Sequence, residues 1–182
     1  MKRIILSGGG TGGHIYPAVA VAEALKRKFG EDVEILFVGA EGKMEMEKIP
    51  ALGYRIEGLT VVGIQRKLTL TNIANNLTAP FKVLRSIRRA KQIIRQFNAD
   101  IVVGFGGYAS APVLKAAQKL GVPTIIQEQN SYAGLTNKML AKRARRICVA
   151  YDKMDRFFPA ERIVMTGNPL QCRFSADMSN RD

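Results

Sequence analysis

The chain has 182 residues, 47% of them apolar and 24% charged, which is ordinary for one folded domain. No apolar run reaches the roughly 18–20 residues that a membrane-spanning helix needs, and the apolar start at residues 4–6 is too short for a signal peptide. A net charge of +13 at pH 7 favours an anionic partner, either nucleic acid, anionic lipid or an anionic substrate. The two cysteines, Cys148 and Cys172, have no metal-type spacing, and we expect reduced thiols in a cytoplasmic protein.

Short apolar runs alternate with helical segments along the chain. The predicted strands cover residues 3–6, 33–38, 54–59, 101–103, 124–126, 146–149 and 162–165, and the predicted helices cover 17–29, 44–49, 110–120 and 133–141. Such alternation indicates a doubly wound α/β fold, Rossmann-like, with parallel strands and helical crossovers.

Three turns follow three of these runs, and the three turns define the candidate site. We call residues 7–14 the glycine turn, residues 104–108 the second glycine turn and residues 127–130 the amide turn. If the runs are parallel strands of one sheet, all three turns open on the edge where such sheets bind ligands. Together they predict a site for a phosphate-bearing, hydroxyl-rich ligand.

The glycine turn matches the pattern G-x-G-x-x-G at Gly8, Gly10 and Gly13. Glycines let backbone N–H groups approach an anion, and the helix that follows adds its positive end. A dinucleotide site also needs an acidic residue at the end of the second strand, and Glu41 lies beyond that position. A tight turn without a ligand is the other alternative. His14 is the only histidine, and it is a candidate base or a residue that fixes the turn by a hydrogen bond.

The other two turns each have a structural and a functional interpretation. Three glycines in the second glycine turn, Gly104, Gly106 and Gly107, serve either close helix–strand packing or backbone approach to a ligand, and we favour the ligand. In the amide turn Glu128 is a second candidate base, and Asn130 can cap the turn that follows. The amides and the carboxylate of this turn suit sugar hydroxyls.

Residues 72–98 carry apolar side chains at helical spacing among many basic ones, and Pro80 predicts either two helices or a kink. The later part reads as a core-facing stripe with a solvated basic face. The earlier part is a candidate membrane-surface patch, made of Ile73, Leu77, Phe81, Leu84, Lys82 and Arg85. RNA is the competing partner, but the basic stretches lack a base-stacking platform, so we predict no nucleic acid.

Four ordered motifs now identify a resemblance to a known family. Residues 9–17, 104–108, 128–130 with 133–138, and 166–169 resemble the MurG family of peptidoglycan glycosyltransferases. The resemblance covers nearly the whole chain. It implies a GT-B enzyme that moves N-acetylglucosamine from UDP-N-acetylglucosamine to lipid I, giving lipid II, with inversion and no covalent enzyme intermediate. It implies no metal or other cofactor.

The resemblance also implies roles for particular residues. Thr11, Gly12, Gly13 and Asn130 would reach the donor sugar or the shared cleft, and His14 or Glu128 would assist deprotonation of the acceptor hydroxyl. The acceptor pyrophosphate would lie against the two glycine turns, at Gly9, Gly10, Gly104, Gly106, Gly107 and Tyr108. Two positions depart from the family: Gln127 stands where His is usual, and Gln171 stands where Arg is usual, with Arg173 nearby.

The same resemblance implies a division of labour between two domains. Residues 1–169 would be the acceptor domain, residues 170–182 a shortened interdomain linker, and the donor domain would be missing, so we expect no turnover by this chain alone. The expected location is the cytoplasmic face of the bacterial membrane, held peripherally by an anionic surface. A non-catalytic module for lipid pyrophosphates or anionic membrane is the alternative, and a nucleotide-cofactor enzyme is a weaker one.

Overall fold

The computed structural model describes residues 1–61 and 70–169, with side chains described outside residues 70–79. Its helices are α1 (Gly12–Phe29), α2 (Glu45–Ala51), α3 (Leu70–Phe97), α4 (Gly107–Leu120) and α5 (Leu135–Ala141). Its strands are β1 (Lys2–Ser7), β2 (Val33–Ala40), β3 (Arg55–Leu59), β4 (Ile101–Gly104), β5 (Thr124–Glu128), β6 (Arg146–Val149) and β7 (Ile163–Met165). The predicted alternation of strand and helix is confirmed.

All seven strands form one parallel sheet in the order β3-β2-β1-β4-β5-β6-β7. Ser7 pairs with Gly104, and Gly104 pairs with Ile126, so β1 and β4 end at the same level and β5 runs two residues further, to Glu128. The order reverses between β1 and β4, because β1 leads outward to β2 on one side while β4 lies on its other side. Ligands of open α/β sheets bind at such a switch point.

Successive residues of each central strand pack on opposite faces of the sheet, as strand geometry requires. Ile4 and Leu6 of β1 join the cluster under α1, whereas Ile5 joins the cluster under α3, α4 and α5. Both faces are therefore covered by helices, which explains why the strands are apolar throughout rather than alternating. The predicted doubly wound α/β fold is confirmed.

Helix α3 continues through Pro80 as a single element, so of the two predicted alternatives, two helices or a kink, the two separate helices are wrong. Proline removes one backbone donor, and the turns on either side keep their own hydrogen bonds. Ala90, Ile93, Ile94 and Phe97 of this helix are buried in the core. Their packing stabilises the helix far more than one missing bond weakens it.

Two helices begin earlier than predicted, and both extensions bear on the site. Helix α1 starts at Gly12 rather than residue 17, and α4 starts at Gly107 rather than residue 110. Glycine has low helix propensity, so the sequence underestimated both first turns. Each first turn now belongs to the ligand edge of the sheet.

Candidate active site

The two glycine turns contact each other across the switch point. Phe105 N–H donates to the Ser7 carbonyl over 2.8 Å. A Cβ on Gly107 would lie 2.3 Å from the Gly9 carbonyl oxygen, closer than van der Waals contact permits. Gly107 also has a φ of +82°, which other residues rarely adopt. Glycine is thus required here by the meeting of two turns.

His14 lies in this contact, in the first turn of α1. Its Nδ1 is 3.1 Å from the Gly9 carbonyl oxygen and 3.2 Å from Thr11 Oγ1. A carbonyl only accepts hydrogen bonds, so this contact assigns the proton of a neutral ring to Nδ1. Nε2 is then left with a lone pair, and it lies 3.1 Å from the Cβ position of Gly106. The histidine therefore presents an acceptor beside the second glycine turn.

Two helix N-termini open at the same place. Thr11 precedes α1 and Gly106 precedes α4, and neither helix has an acidic residue in its first turn or a side-chain cap. The first N–H groups of a helix have no intrahelical acceptor, and they lie at the positive end of the helix dipole. The arrangement suits an anion between the turns. Tyr108 stands beside it with 63% of its surface exposed.

Gly104 has a different environment from its neighbours in the second glycine turn. It is buried at the end of β4, and a Cβ there would lie 2.4 Å from Leu114 of α4. Close helix–strand packing therefore accounts for this glycine, which is the structural alternative for that turn.

Glu45 of α2 contacts the glycine turn, a contact that no pattern in the sequence predicts. Its side chain is 1% exposed. Its Oε2 accepts the Gly10 N–H over 3.1 Å, and its Oε1 accepts the Ala40 N–H over 3.0 Å. The Gly10 donor that the sequence offered to a phosphate is thus already engaged.

Glu128 is held inside the protein by four donors. One carboxylate oxygen accepts from the backbone and side-chain nitrogens of Asn130, each at 3.1 Å. The other accepts from Gly134 N–H and Asn137 Nδ2, each at 2.9 Å. The carboxylate is 1% exposed, and its contacts order the chain between β5 and α5. Asn130, in contrast, is exposed at the edge.

The amide turn is also connected to its neighbours. Gln129 Nε2 donates to the Phe105 carbonyl over 3.2 Å, and Gln127 Nε2 donates to the Gly167 carbonyl over 3.2 Å. Gln127 therefore holds the turn after β7. The three turns form one connected surface at the carboxyl edge of the sheet, as the sequence predicted.

The described part of the candidate membrane-surface patch is exposed. Phe81 is 76% exposed and Leu84 is 49% exposed, and Lys82 and Arg85 beside them are also exposed. Val83 adds a further exposed apolar side chain. The side chains of Ile73 and Leu77 lie outside the described residues, as do Gln171, Cys172 and Arg173.

Within residues 1–61 and 70–169, no three His, Cys, Asp or Glu side chains cluster as a metal site would require. Among the helices described, none is both long enough and apolar enough to cross a membrane. Cys148 is half-buried on β6. Burial raises the pKa of its thiol, and a hydrogen bond from Thr166 opposes the rise.

The strand order and the paired glycine turns at the switch point define a Rossmann-like α/β domain. The chain belongs to glycosyltransferase family 28, because the model of the family's N-terminal domain matches residues 4–149.

Relatives and solved structures agree with that family. The chain is 61% identical over 169 residues to a UDP-N-acetylglucosamine--N-acetylmuramyl-(pentapeptide) pyrophosphoryl-undecaprenol N-acetylglucosamine transferase of Cytophaga hutchinsonii, covering 93% of this chain and 44% of the relative. A Bacteroides fragilis protein of the same name is 57% identical over 180 residues, which cover 99% of this chain and 46% of the relative. The chain therefore spans about half the length of the curated relatives it matches.

The crystal structure of Acinetobacter baumannii MurG superimposes with a TM-score of 0.75 at 33% identity, covering 92% of this chain and 45% of that one. A Staphylococcus aureus MnaA–UDP structure superimposes with a TM-score of 0.63 at 17% identity, and the match covers 93% of this chain and 44% of that one. That second match is a likeness of fold alone.

Proposed function

We propose that this chain is the acceptor-binding half of an inverting transferase that moves N-acetylglucosamine from UDP-N-acetylglucosamine to lipid I, giving lipid II. The single observation that carries the proposal is the contact of the two glycine turns around His14. It occurs in a chain that is 61% identical to the Cytophaga hutchinsonii N-acetylglucosamine transferase. Residues 1–169 would be the acceptor domain, and residues 170–182 would lead to a donor domain.

In this proposal the acceptor pyrophosphate lies against Gly9, Gly10, Gly106, Gly107 and Tyr108, over the two helix N-termini. Gly10 N–H already donates to Glu45, and the N–H groups of His14 and Ile15 donate to the Thr11 carbonyl. The backbone donors left for the pyrophosphate are therefore the earliest N–H groups of α1 and α4. Gly104 supports the turn from below through its packing on Leu114.

The donor sugar would reach the same edge from the other half of the enzyme, meeting Thr11, Gly12, Gly13 and Asn130. Glu128 would hold Asn130 in place, since it accepts hydrogen bonds from both the backbone and the side-chain nitrogen of Asn130.

His14 is the better base of the two candidates. Its Nε2 carries a lone pair at the edge, whereas both oxygens of Glu128 are occupied by internal donors. In the transfer, the acceptor hydroxyl would give its proton to His14 Nε2 as its oxygen bonds to the anomeric carbon. The bond from that carbon to UDP breaks in the same displacement, and UDP leaves with the electron pair.

The direct test mixes this chain with a separately made C-terminal half of the Cytophaga hutchinsonii transferase. We would follow radiolabelled N-acetylglucosamine from its UDP donor to a lipid I analogue. Transfer by the mixture and by neither half alone supports the proposal. Absence of transfer, in a mixture shown to associate and to bind the UDP-sugar, refutes it.

His14→Ala in this mixture is expected to lower kcat by about 10²–10⁴-fold, the usual contribution of a positioned acid or base. Glu128→Gln is the comparison, and it should act through stability rather than through the pH profile of the reaction. A His14→Ala variant with unchanged kcat would remove the base from the proposal.

We also propose that the chain rests on an anionic membrane surface through Phe81, Leu84, Lys82 and Arg85, together with Ile73 and Leu77. Exposed apolar side chains flanked by cations favour this role, since such a patch combines apolar burial with attraction to anionic lipid. The same patch supports the alternative of a non-catalytic module for lipid pyrophosphates or anionic membrane.

Sedimentation with phosphatidylglycerol vesicles tests the membrane role. The Phe81→Ser, Leu84→Ser double variant should lose most of its binding, and added salt should weaken binding by the unsubstituted chain. The matched control is Leu52→Ser, which changes an apolar residue that is 42% exposed at the end of α2. Equal binding by the double variant and the control would contradict the proposal.

A further inference from the structure

Glu45 lies beneath the glycine turn, and its contacts join three elements of the fold. It comes from α2, it accepts the N–H of Ala40 at the end of β2, and it accepts the N–H of Gly10 beyond β1. Both carboxylate oxygens act as acceptors. Because the side chain is 1% exposed, water cannot readily replace either bond, and losing one would leave a buried polar group unpaired.

Glu45 in its observed position leaves no room for a side chain at two glycines. A Cβ on Gly9 would lie 2.0 Å from Glu45 Oε1, and one on Gly39 would lie 2.6 Å from Glu45 Cγ. The three atoms nearest to the Cβ position of Gly9 belong to the Glu45 carboxylate, and Gly9 is not among the glycines with positive φ. Gly10 is the opposite case, with a φ of +84° and nothing within 4 Å of a Cβ.

The same contacts lead to His14. Glu45 fixes Gly10, Gly10 is bonded in sequence to Gly9, and the Gly9 carbonyl accepts from His14 Nδ1 at 3.1 Å. That last bond selects the tautomer that leaves Nε2 free. The orientation of the histidine therefore depends on a carboxylate that never touches it.

We propose that Glu45 is a positioning residue for the transfer reaction, acting through the glycine turn to hold His14 with its Nε2 lone pair toward the second glycine turn. The proposal rests on the proposed function for its catalytic consequence. Its structural part, the link from Glu45 through Gly10 and Gly9 to His14, can be tested on this chain alone.

The first experiment is a double-mutant cycle on the stability of the chain. Gly9→Ala should lower the midpoint of urea unfolding, and most of that loss should vanish in the Glu45→Ala background, where the clashing carboxylate is gone. Gly121→Ala is the matched control, since Gly121 has a φ of +76° and nothing within 4 Å of a Cβ. Its cost comes from backbone conformation far from Glu45, so it should be the same in both backgrounds. Equal losses for Gly9→Ala in both backgrounds would overturn the link.

The second experiment uses the fact that His14 is the only histidine of the chain. The ¹⁵N shifts of its ring report the tautomer directly. In Glu45→Gln one carboxylate oxygen becomes an NH₂ group facing a backbone N–H, so the turn must shift and the Nδ1–H tautomer should lose population. Glu47→Gln removes the same charge from an exposed position of α2, and it should leave the ring shifts unchanged.

The third experiment repeats the transfer assay with the two-half mixture. Glu45→Gln should lower kcat at least tenfold while the KM for the UDP-sugar changes little, because misplacement by about 1 Å can cost up to 10²-fold in rate. Glu47→Gln should remain within twofold of the unsubstituted mixture in both parameters. A tautomer shift with unchanged kcat would overturn the positioning role.

These readouts separate the two proposals. If the unsubstituted mixture transfers nothing, the proposed function fails, while the cycle and the ring shifts still judge the link from Glu45 to His14. If the ring shifts of Glu45→Gln equal those of Glu47→Gln, the positioning role is wrong whatever the mixture does.

Discussion

The glycine turn and the amide turn are each held by a buried glutamate, yet the two glutamates reach their partners over very different distances in sequence. Glu128 accepts from residues two, six and nine positions further along the chain. Glu45 accepts from Gly10, which is 35 positions away, and from Ala40. The first glutamate organises its own loop, whereas the second joins two separate strand–helix units.

The difference indicates what each carboxylate does for the site. Removing a local anchor should loosen one loop together with the residues that it presents, here Asn130. Removing a remote anchor should leave each unit folded and change how the units meet, here at Gly9 and His14. The two turns therefore offer a contrast between loop stability and the alignment of a candidate base.

The largest expected effect is on stability, from Glu128→Ala. The substitution removes the acceptor of four hydrogen bonds and leaves a buried amide at Asn137 short of a partner, so we expect a loss of about 2–4 kcal/mol. Urea unfolding monitored by circular dichroism would measure it. The exposed residue Glu47 supplies the control, and Glu47→Ala should remain within about 0.5 kcal/mol of the unsubstituted chain.

Glu128 accepts four hydrogen bonds and Glu45 accepts two, so Glu128→Ala should lower the free energy of unfolding more than Glu45→Ala does. A smaller loss for Glu128→Ala would contradict this expectation. Glu128, whose partners are close in sequence, would then contribute less to stability than Glu45.

A smaller effect is expected from Asn137→Ala. Asn137 Nδ2 donates to Glu128 and to the Gln127 carbonyl, while its Oδ1 is buried without a protein partner. The substitution breaks two bonds but also removes an unpaired oxygen, so the net loss should be about 1 kcal/mol. The same unfolding assay applies, and the double variant with Glu128→Ala should cost less than the sum of the two single losses. Strict additivity would show that the two side chains do not act together.

The sheet and the meeting of the three turns could be predicted from the sequence, whereas the role of Glu45 could not, and the difference has a physical reason. Apolar runs and the residues after them predicted the parallel sheet and the meeting of three turns at one edge, because parallel strands end at a common edge. Glu128 was visible because it directly follows an apolar run, but the sequence presented it as a candidate base, whereas the structure shows a buried acceptor of four hydrogen bonds. Glu45 was not, since its partner Gly10 becomes a neighbour only once β1 and β2 pair.

Helix α3 shows a second limit of the sequence. Phe81, Leu84 and Ile94 belong to one apolar stripe, but Ile94 is buried while Phe81 is 76% exposed. Periodicity predicts that a helix has an apolar face, and it does not say what covers that face. The sequence analysis had already divided the stripe into a core-facing part and a candidate membrane part. The structure adds the physical reason, because the core buries Ile94 and leaves Phe81 exposed.

The smallest effect concerns Cys148, which pairs in register with Gln127 of the amide turn. Burial raises the pKa of its thiol despite the hydrogen bond from Thr166, and only the thiolate reacts with iodoacetamide. A raised pKa means less thiolate at pH 8, so alkylation should be slower than for a free thiol and should keep rising with pH beyond the ordinary range. The measurement belongs in a Cys172→Ser background, so that one thiol reacts.

This thiol also reports on the comparison between the two turns. Glu128→Ala should speed alkylation of Cys148, because loosening the amide turn exposes the neighbouring strand to water and reagent. Glu45→Ala should leave the rate unchanged, since its bonds lie on the other side of β1, at Ala40 and Gly10. Equal acceleration by both substitutions would mean that the two turns open together, and the distinction between a local and a remote anchor would no longer hold.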